Sequence, residues 1–340
     1  MRIVKLSAFT VVDGFPPGTD PSRPRLREVV DLARVAESAG LSGLWVAEHH
    51  FHAGGICPHP PALLAACAEA TRRLRVGVMV SNLALHHPIS IAEEYAVVDQ
   101  LSNGRLNFGA GSGYLPMEFE GFGVDPSTKR ERFDRALEII ERGWRGEPVG
   151  PENPDSAAPI RLNLRPVQRP GPPLWIAVQR RAAIPFVARR GASLALIPYA
   201  TLGTMDELPE LIREYRAEAP AGRGEVAVAL HLAIGDDLRS SRAALQRYLD
   251  GRLATHSTFY REKVRSDPTA ATAGRIEEGG FALFGTPPEV GRRLKALEAM
   301  GVDEVLALTD FGGLSPTEVR HSVQALGELG AELNPRMGAR

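Results

Sequence analysis

Three histidines and a glutamate crowd one short stretch, Glu48-His49-His50-Phe51-His52, and His59 follows a few residues on. Imidazole titrates close to neutral pH, so it suits general acid–base work, and in its neutral form it is a common metal ligand. Both chemistries are open from residue type alone. If the stretch leaves a β-strand, successive side chains point to opposite faces. One of His49 and His50 then faces a site and the other serves structure. A second stretch, Gly109-Ala110-Gly111-Ser112-Gly113-Tyr114, alternates glycines. Such a run lets backbone approach a ligand closely and exposes amide N–H groups. A third, Gln179-Arg180-Arg181, opens a helical pattern. Two guanidiniums at a helix N-terminus suit a phosphate.

The elements that must position these residues follow a repeating pattern. Short β-branched runs predict strands at Ile3–Ala8, Leu44–Ala47, Arg75–Val80, Arg105–Ala110, Leu174–Val178, Ser193–Ile197, Val226–Ile234 and Glu304–Thr309. Amphipathic stretches between them predict helices, among them Leu26–Ala39, Pro61–Arg72, Lys129–Trp144 and Ala182–Arg190. Two excursions break the rhythm. Residues 147–172 hold seven prolines and suggest at most a hairpin around Ile160–Leu164; residues 255–284 are polar and weakly periodic. Strand–helix repetition implies parallel strands, and eight repeats imply a closed (β/α)8 TIM barrel, one domain over 1–340 with two insertions. An open doubly wound sheet fits less well, because Phe9-Thr10-Val11-Val12-Asp13-Gly14 after the first strand lacks a glycine-rich dinucleotide fingerprint. In a barrel of this kind the site lies at the C-terminal ends of the strands. All three chemical stretches above fall there.

Composition narrows the function further. Forty basic residues against 41 acidic ones net to −1, which argues against nucleic acid or an anionic membrane as the main partner. No apolar run reaches the length of about 18 residues that a membrane span needs, and Met1-Arg2-Ile3-Val4-Lys5-Leu6 does not read as a signal peptide. Cys57 and Cys67 are the two cysteines, so no disulfide framework is expected and a reducing, cytoplasmic setting is. Cys57, in the loop after the histidines, reads as a packed residue.

The motifs together resemble the bacterial luciferase-like flavin monooxygenases. The resemblance rests on Glu48-His49-His50-Phe51, on His87-Pro88, on Asp99-Gln100-Leu101-Ser102-Asn103-Gly104-Arg105-Leu106-Asn107-Phe108-Gly109, and on Gly111-Ser112-Gly113-Tyr114. Glu118-Phe119-Glu120-Gly121-Phe122-Gly123, Gly285-Thr286-Pro287 and Asp310-Phe311-Gly312-Gly313-Leu314 extend it over nearly the whole chain. It implies a (β/α)8 barrel that binds FMN, or in one branch the deazaflavin F420. It further implies reduced FMN supplied by a separate NAD(P)H-flavin reductase, reaction with O2 to a C4a-peroxyflavin, oxidation of an organic substrate, and a homodimer with Pro61–Arg72 as a candidate interface helix. Carried onto this chain, the resemblance assigns His49 to catalysis with Glu48 and His50 in support. Met79 and Val80, with Ser81 beside them, would lie against the flavin ring, as in luciferases, where the contact is sometimes made through a non-proline cis peptide. Gly111, Ser112, Tyr114, Gln179, Arg180 and Arg181 would hold the cofactor, mainly its phosphate. No resident metal is implied.

Two departures stand out. Ser112 replaces an arginine that luciferases use for the phosphate, so Arg180 or Arg181 would supply the charge. Gly111 replaces a cysteine near the flavin, which would leave space over the ring for a bulkier substrate. Loops after the strands contribute Phe9, Phe15, Phe51, Pro198, Tyr199 and Phe311, an apolar set that suits a hydrophobic organic substrate. Residues 255–284 fall where luciferases carry an active-site lid, with Phe259 and Tyr260 as its apolar contacts. Alternatives are an F420-dependent oxidoreductase, a metal hydrolase using His49, His50 or His52, and a non-catalytic flavin-binding protein. The F420 branch usually has an aspartate–histidine pair where this chain has Glu48-His49-His50. A barrel hydrolase would place histidines on strand one, which has none.

Overall fold

Strand and helix alternate through the chain. The computed structural model describes residues 4–14, 25–150, 159–255, 262 and 264–333. The first half runs β1 Lys5–Thr10, α1 Arg25–Ser38, β2 Gly43–Val46, α2 Pro60–Glu69, β3 Arg75–Asn82, α3 Pro88–Leu101, β4 Leu106–Gly111, α4 Pro116–Gly121 and α5 Lys129–Arg145. The second half runs β5 Leu174–Val178, α6 Ile184–Arg189, β6 Ser193–Leu196, α7 Pro198–Thr201, α8 Leu208–Glu218, β7 Val226–Ile234 and α9 Arg239–Ala254. It ends with α10 Ala273–Glu278, β8 Ala282–Gly285, α11 Pro287–Met300, β9 Glu304–Asp310 and α12 Pro316–Leu333.

Eight strands close a parallel ring: β1 through β7 pair in sequence, β7 pairs with β9, and β9 returns to β1. This is the closed barrel that the periodicity predicts. β8 is a ninth strand that the sequence reading missed. It lies inside the 255–284 excursion and pairs only with the end of β7, from His231–Ala282 to Ile234–Gly285. β2 and β6 are as short but hold places in the strand–helix alternation, and β8 does not. The six-residue α4 escaped for the same reason. The expected hairpin around Ile160–Leu164 is not a strand pair; one bond, from the Val149 N–H to the Ile160 carbonyl, marks the place. The helix expected at Ala182–Arg190 is a 3-10 turn, Arg181–Ala183, followed by the short α6.

The strands are buried on both faces, so they read as runs of β-branched and small residues without alternation. The barrel interior is filled by large side chains. Trp45 and Trp175 meet edge to face, 5.5 Å between ring centroids. The buried Glu304 accepts hydrogen bonds from Ser7 Oγ at 2.7 Å and Trp45 Nε1 at 3.0 Å. Gly77 stands beside Trp45, where a Cβ would come within 2.4 Å of the indole, so nothing larger fits that place. With the lower barrel packed shut, open space remains only at the C-terminal ends of the strands. The Met79–Val80 peptide bond there is cis. Among the described residues no helix is long and apolar enough to cross a membrane.

Candidate active site

A cavity of about 310 Å3 opens at the C-terminal mouth of the barrel. Of the residues singled out from the sequence, Glu48, His49, Met79, Val80, Gly111, Ser112, Tyr114, Gln179 and Arg180 line it. His50, Ser81 and Arg181 do not. The three stretches are thus brought together from β2, β3, β4 and β5, although each contributes only part of what residue type suggested.

His49 and His50 diverge as alternation requires, and each joins a different carboxylate. Glu48 is the hub of the first network. Its Oε1 takes His86 Nε2 at 2.7 Å and His50 Nε2 at 3.2 Å; its Oε2 takes Ser81 Oγ at 3.2 Å and the Asn82 N–H at 3.3 Å. Burial opposes ionisation of Glu48, but the hydrogen bonds from His50 and His86 outweigh it and hold the carboxyl down to about 2. Burial also works against a charged His86, yet the Glu48 carboxylate draws its basicity up. Ser81, expected against the flavin, is instead spent on Glu48.

The second network holds His49. Its Nδ1 lies 3.1 Å from Glu118 Oε1, which also accepts the His50 N–H at 3.0 Å. Its Nε2 lies 3.2 Å from Arg252 Nη1 on α9. A guanidinium has only donors, so Nε2 must be the accepting nitrogen and Nδ1 carries the proton toward Glu118. Burial first, and then the Arg252 charge, keep His49 neutral, far below the ordinary histidine range. Burial raises the Glu118 carboxyl, and its Oε2 has no partner. Arg252 also donates to Tyr114 Oη at 3.2 Å and to Tyr248 Oη at 3.1 Å, and sits over the Tyr248 ring.

At the opposite side of the cavity mouth the cations differ from expectation. Arg181 turns away to ion pairs with Glu210 and Glu214, both outside the cavity. The turn and the six-residue α6 behind it are too short to offer a developed helix dipole. Arg180 remains, exposed at the rim, with no side-chain partner among the described residues. Lys129, the first residue of α5, lines the same cavity. Gly111 does not leave a void over this region: a Cβ there would meet Val80 Cγ2 at 2.3 Å. The glycine is fixed by the close approach of β3, and room for a bulkier substrate is not what it supplies.

The inner wall is partly as expected. Phe9 and Tyr199 line the cavity, whereas Pro198 and Phe311 do not, and Phe51 is 62% exposed on the outer surface. Phe15, Phe259 and Tyr260 lie outside the described residues, and with them the lid contacts. Cys57 is buried, its thiol pushed up to about 12 by burial, which leaves it packed and unreactive. His231, on β7, was not singled out from the sequence. It lines the cavity at 2% exposure, and neither ring nitrogen has a partner among the described residues. A buried polar group left unpaired costs about 1–3 kcal/mol.

Residue type alone left metal ligation open, and the geometry gathers two trios with ligand atoms within 4.8 Å: Glu48, His50 and His86; His49, His52 and Glu118. In the first, hydrogen bonds already pair the carboxylate with both imidazoles. Glu118, Arg252, Lys129, His86 and His231 are the residues that sequence reasoning missed as site members. Glu118 lay inside a quoted motif and could have been found there. Arg252 and His231 sit in ordinary helical and strand patterns that carry no local signal.

Comparison with known proteins identifies the family. The sequence profile of the luciferase-like monooxygenase family matches residues 4–304, and the chain belongs to that family. It is 33% identical over 185 residues to 4-hydroxyprotoasukamycin monooxygenase of Streptomyces nodosus subsp. asukaensis, covering 54% of this chain and 49% of that one. It is 25% identical over 302 residues to the oxygenase component of the flavin-dependent trigonelline monooxygenase of Acinetobacter baylyi, covering 84% and 83%. The chain spans about half the length of several curated relatives that it matches. Among solved structures, monooxygenase RslO1 from Streptomyces bottropensis superposes with a TM-score of 0.77 at 25% identity, over 96% of this chain and 98% of that one. Two others share the fold alone. They are the FMN-bound oxygenating constituent of 3,6-diketocamphane monooxygenase of Pseudomonas putida (TM-score 0.77, 19% identity, 98% and 99% covered) and an F420-dependent secondary alcohol dehydrogenase (0.74, 15%, 96% and 98%). The barrel by itself therefore does not choose between the two flavins.

Proposed function

We propose that this chain is the oxygenase component of a two-component monooxygenase, taking reduced FMN from a separate NAD(P)H-dependent reductase and oxidising an organic substrate with O2. The observation that carries this reading is the neutral His49, held between Glu118 and Arg252, on the wall of the same cavity whose rim bears Arg180 and Lys129. The residues fit the cofactor. Met79 and Val80 offer a flat apolar wall, Gly111 to Tyr114 bring backbone close, and Lys129 with Arg180 supply charge for a phosphate. When bound, reduced FMN supplies the two electrons with which O2 is split, one oxygen atom entering the substrate and the other leaving as water.

The chain's own residues have the remaining tasks. Glu118 fixes the His49 ring and its tautomer, so that Nε2 is the accepting nitrogen and takes the Arg252 N–H until a reacting group displaces it. Glu48 stays anionic and ties β2 to β3 through Ser81 and Asn82, which fixes the backbone on either side of His49. The apolar walls exclude water, which suppresses unproductive loss of the activated oxygen. The test is anaerobic titration with reduced FMN, and separately with reduced F420, followed by exposure to O2 while absorbance is recorded. Tight FMN binding with delayed reoxidation is expected. FMN binding with immediate reoxidation refutes the oxygenase reading and leaves a non-catalytic flavin carrier; binding of F420 alone moves the chain to the dehydrogenase branch.

A further inference from the structure

We propose that His231 is a substrate-binding residue that recognises a neutral oxygen function, a hydroxyl or a carbonyl, on an otherwise apolar ring-sized substrate. The inference rests on the reading of the cavity as a flavin and substrate site. His231 lines that cavity at 2% exposure, and among the described residues neither Nδ1 nor Nε2 has a hydrogen-bond partner. Its surroundings are aromatic: the Tyr248 ring at 4.7 Å, the Phe311 ring at 5.0 Å and the Tyr199 ring at 5.8 Å. An imidazole so placed gains nothing over phenylalanine unless something in the cavity uses its nitrogens. A neutral imidazole offers one donor and one acceptor. Burial and the Arg252 charge push its basicity down to about 3, so it carries no charge for an anion. A hydroxyl satisfies both nitrogen roles in turn, and a carbonyl satisfies the donor. The walls nearby, Phe9, Ala195, Ala229, Leu306 and Leu308, are apolar and would cover the rest of the ligand.

The alternative is an N–H that merely points at an aromatic face, with Phe311 at an interplanar angle of 85°. Matched probes separate the two. The FMN-loaded protein is titrated with p-cresol against toluene and with acetophenone against ethylbenzene, in wild type, His231→Phe and His231→Gln. An apolar wall favours the hydrocarbons, because burying an unmatched oxygen is costly. We expect wild type to prefer the oxygenated member by about tenfold, His231→Phe to lose that preference, and His231→Gln to restore most of it. A nitrogen-15 spectrum of wild-type histidines gives a reading independent of any variant: the His231 nitrogens shift with p-cresol and not with toluene. Preference unchanged in His231→Phe, or no preference and no shift in wild type, overturns the assignment. Failure of the wild type to bind FMN would overturn the flavin reading as well; FMN binding with unchanged preference overturns the His231 assignment alone.

Discussion

Arg252 adds its charge to burial in keeping His49 neutral, and replacing it measures how much of the effect is its own. The guanidinium stands 3.2 Å from His49 Nε2 and both groups are buried. If His49 took a proton, two cations would face each other at about 4 Å, a repulsion of about 4 kcal/mol at an effective dielectric of about 20. Burial is the larger cause of the depression and stays in place. Arg252→Met should therefore raise His49 toward, but not to, the ordinary histidine value. Arg252→Lys, which keeps the charge, should leave it low. The direct assay is nitrogen-15 titration of His49 in the reduced-flavin-free protein. The functional assay is the pH profile of reduced-flavin reoxidation. On the proposed function neutral His49 is the active form, and the wild-type profile should then be flat near neutrality with respect to His49. In Arg252→Met the acid limb should move up toward neutral pH. A His49 titration that stays put in Arg252→Met, or moves equally in Arg252→Lys, would refute the assignment of Arg252 as the charge that holds His49 neutral.

Other substitutions probe the rest of the mouth. His49→Ala should keep most of the affinity for reduced FMN and lose substrate oxidation by about two orders of magnitude or more, read by steady-state turnover with a supplied reductase. Full turnover in that variant removes His49 from the chemistry. Arg180→Ala and Lys129→Ala should each weaken FMN binding about ten- to a hundredfold, measured by fluorescence quenching, with less effect on turnover at saturating flavin. Gly111→Ala would press its Cβ against Val80 at 2.3 Å and should cost about 1–3 kcal/mol in denaturant unfolding, relieved in the Gly111→Ala/Val80→Ala double variant. His231 sits near 3 when folded and near 6.5 when unfolded, so the unfolded chain takes up a proton that the folded chain refuses. Stability from this group is present above about pH 6.5 and lost as pH falls toward 3, about 2 kcal/mol between pH 7 and pH 5. His231→Phe should flatten that part of the acid sensitivity in thermal melts; an unchanged slope contradicts it.

The barrel was legible because β-branched runs alternate with amphipathic stretches along the chain, a repetition that implies parallel strands. β5 and β7 fall at their expected residues, Leu174–Val178 and Val226–Ile234. β8 and α4 were not legible, since they are short extra elements outside the strand–helix alternation. The site divides in the same way. His49, Gly111 and Arg180 announce themselves as clusters or runs. Arg252 and His231 come from α9 and β7, far from any motif, and reach the cavity only through closure of the ring. Arg181 shows the converse. It shares a motif with Arg180, but acidic residues on α8, invisible to a local reading, claim its charge.

The two carboxylates explain why adjacent histidines can do different work. Glu48 is saturated: two imidazoles, a hydroxyl and an amide N–H converge on it, and it stays ionised down to about 2. It has no capacity left to exchange a proton near neutral pH. Glu118 has one loaded oxygen and one bare buried oxygen, and burial raises its affinity for a proton. Pairs of titratable groups pushed apart in this way divide structural from proton-handling roles. A proton arriving at His49 Nε2 would put positive charge on a ring whose Nδ1–H already points at Glu118, and that carboxyl is the one group in contact that can share it. His50 lends the same Glu118 oxygen its backbone N–H and lends Glu48 its ring, so one peptide unit locks both networks to β2. Replacing Glu118 by Gln would keep the packing and the contact to Nδ1 but remove that shared charge, so its cost should appear in turnover and in the pH profile far more than in FMN affinity.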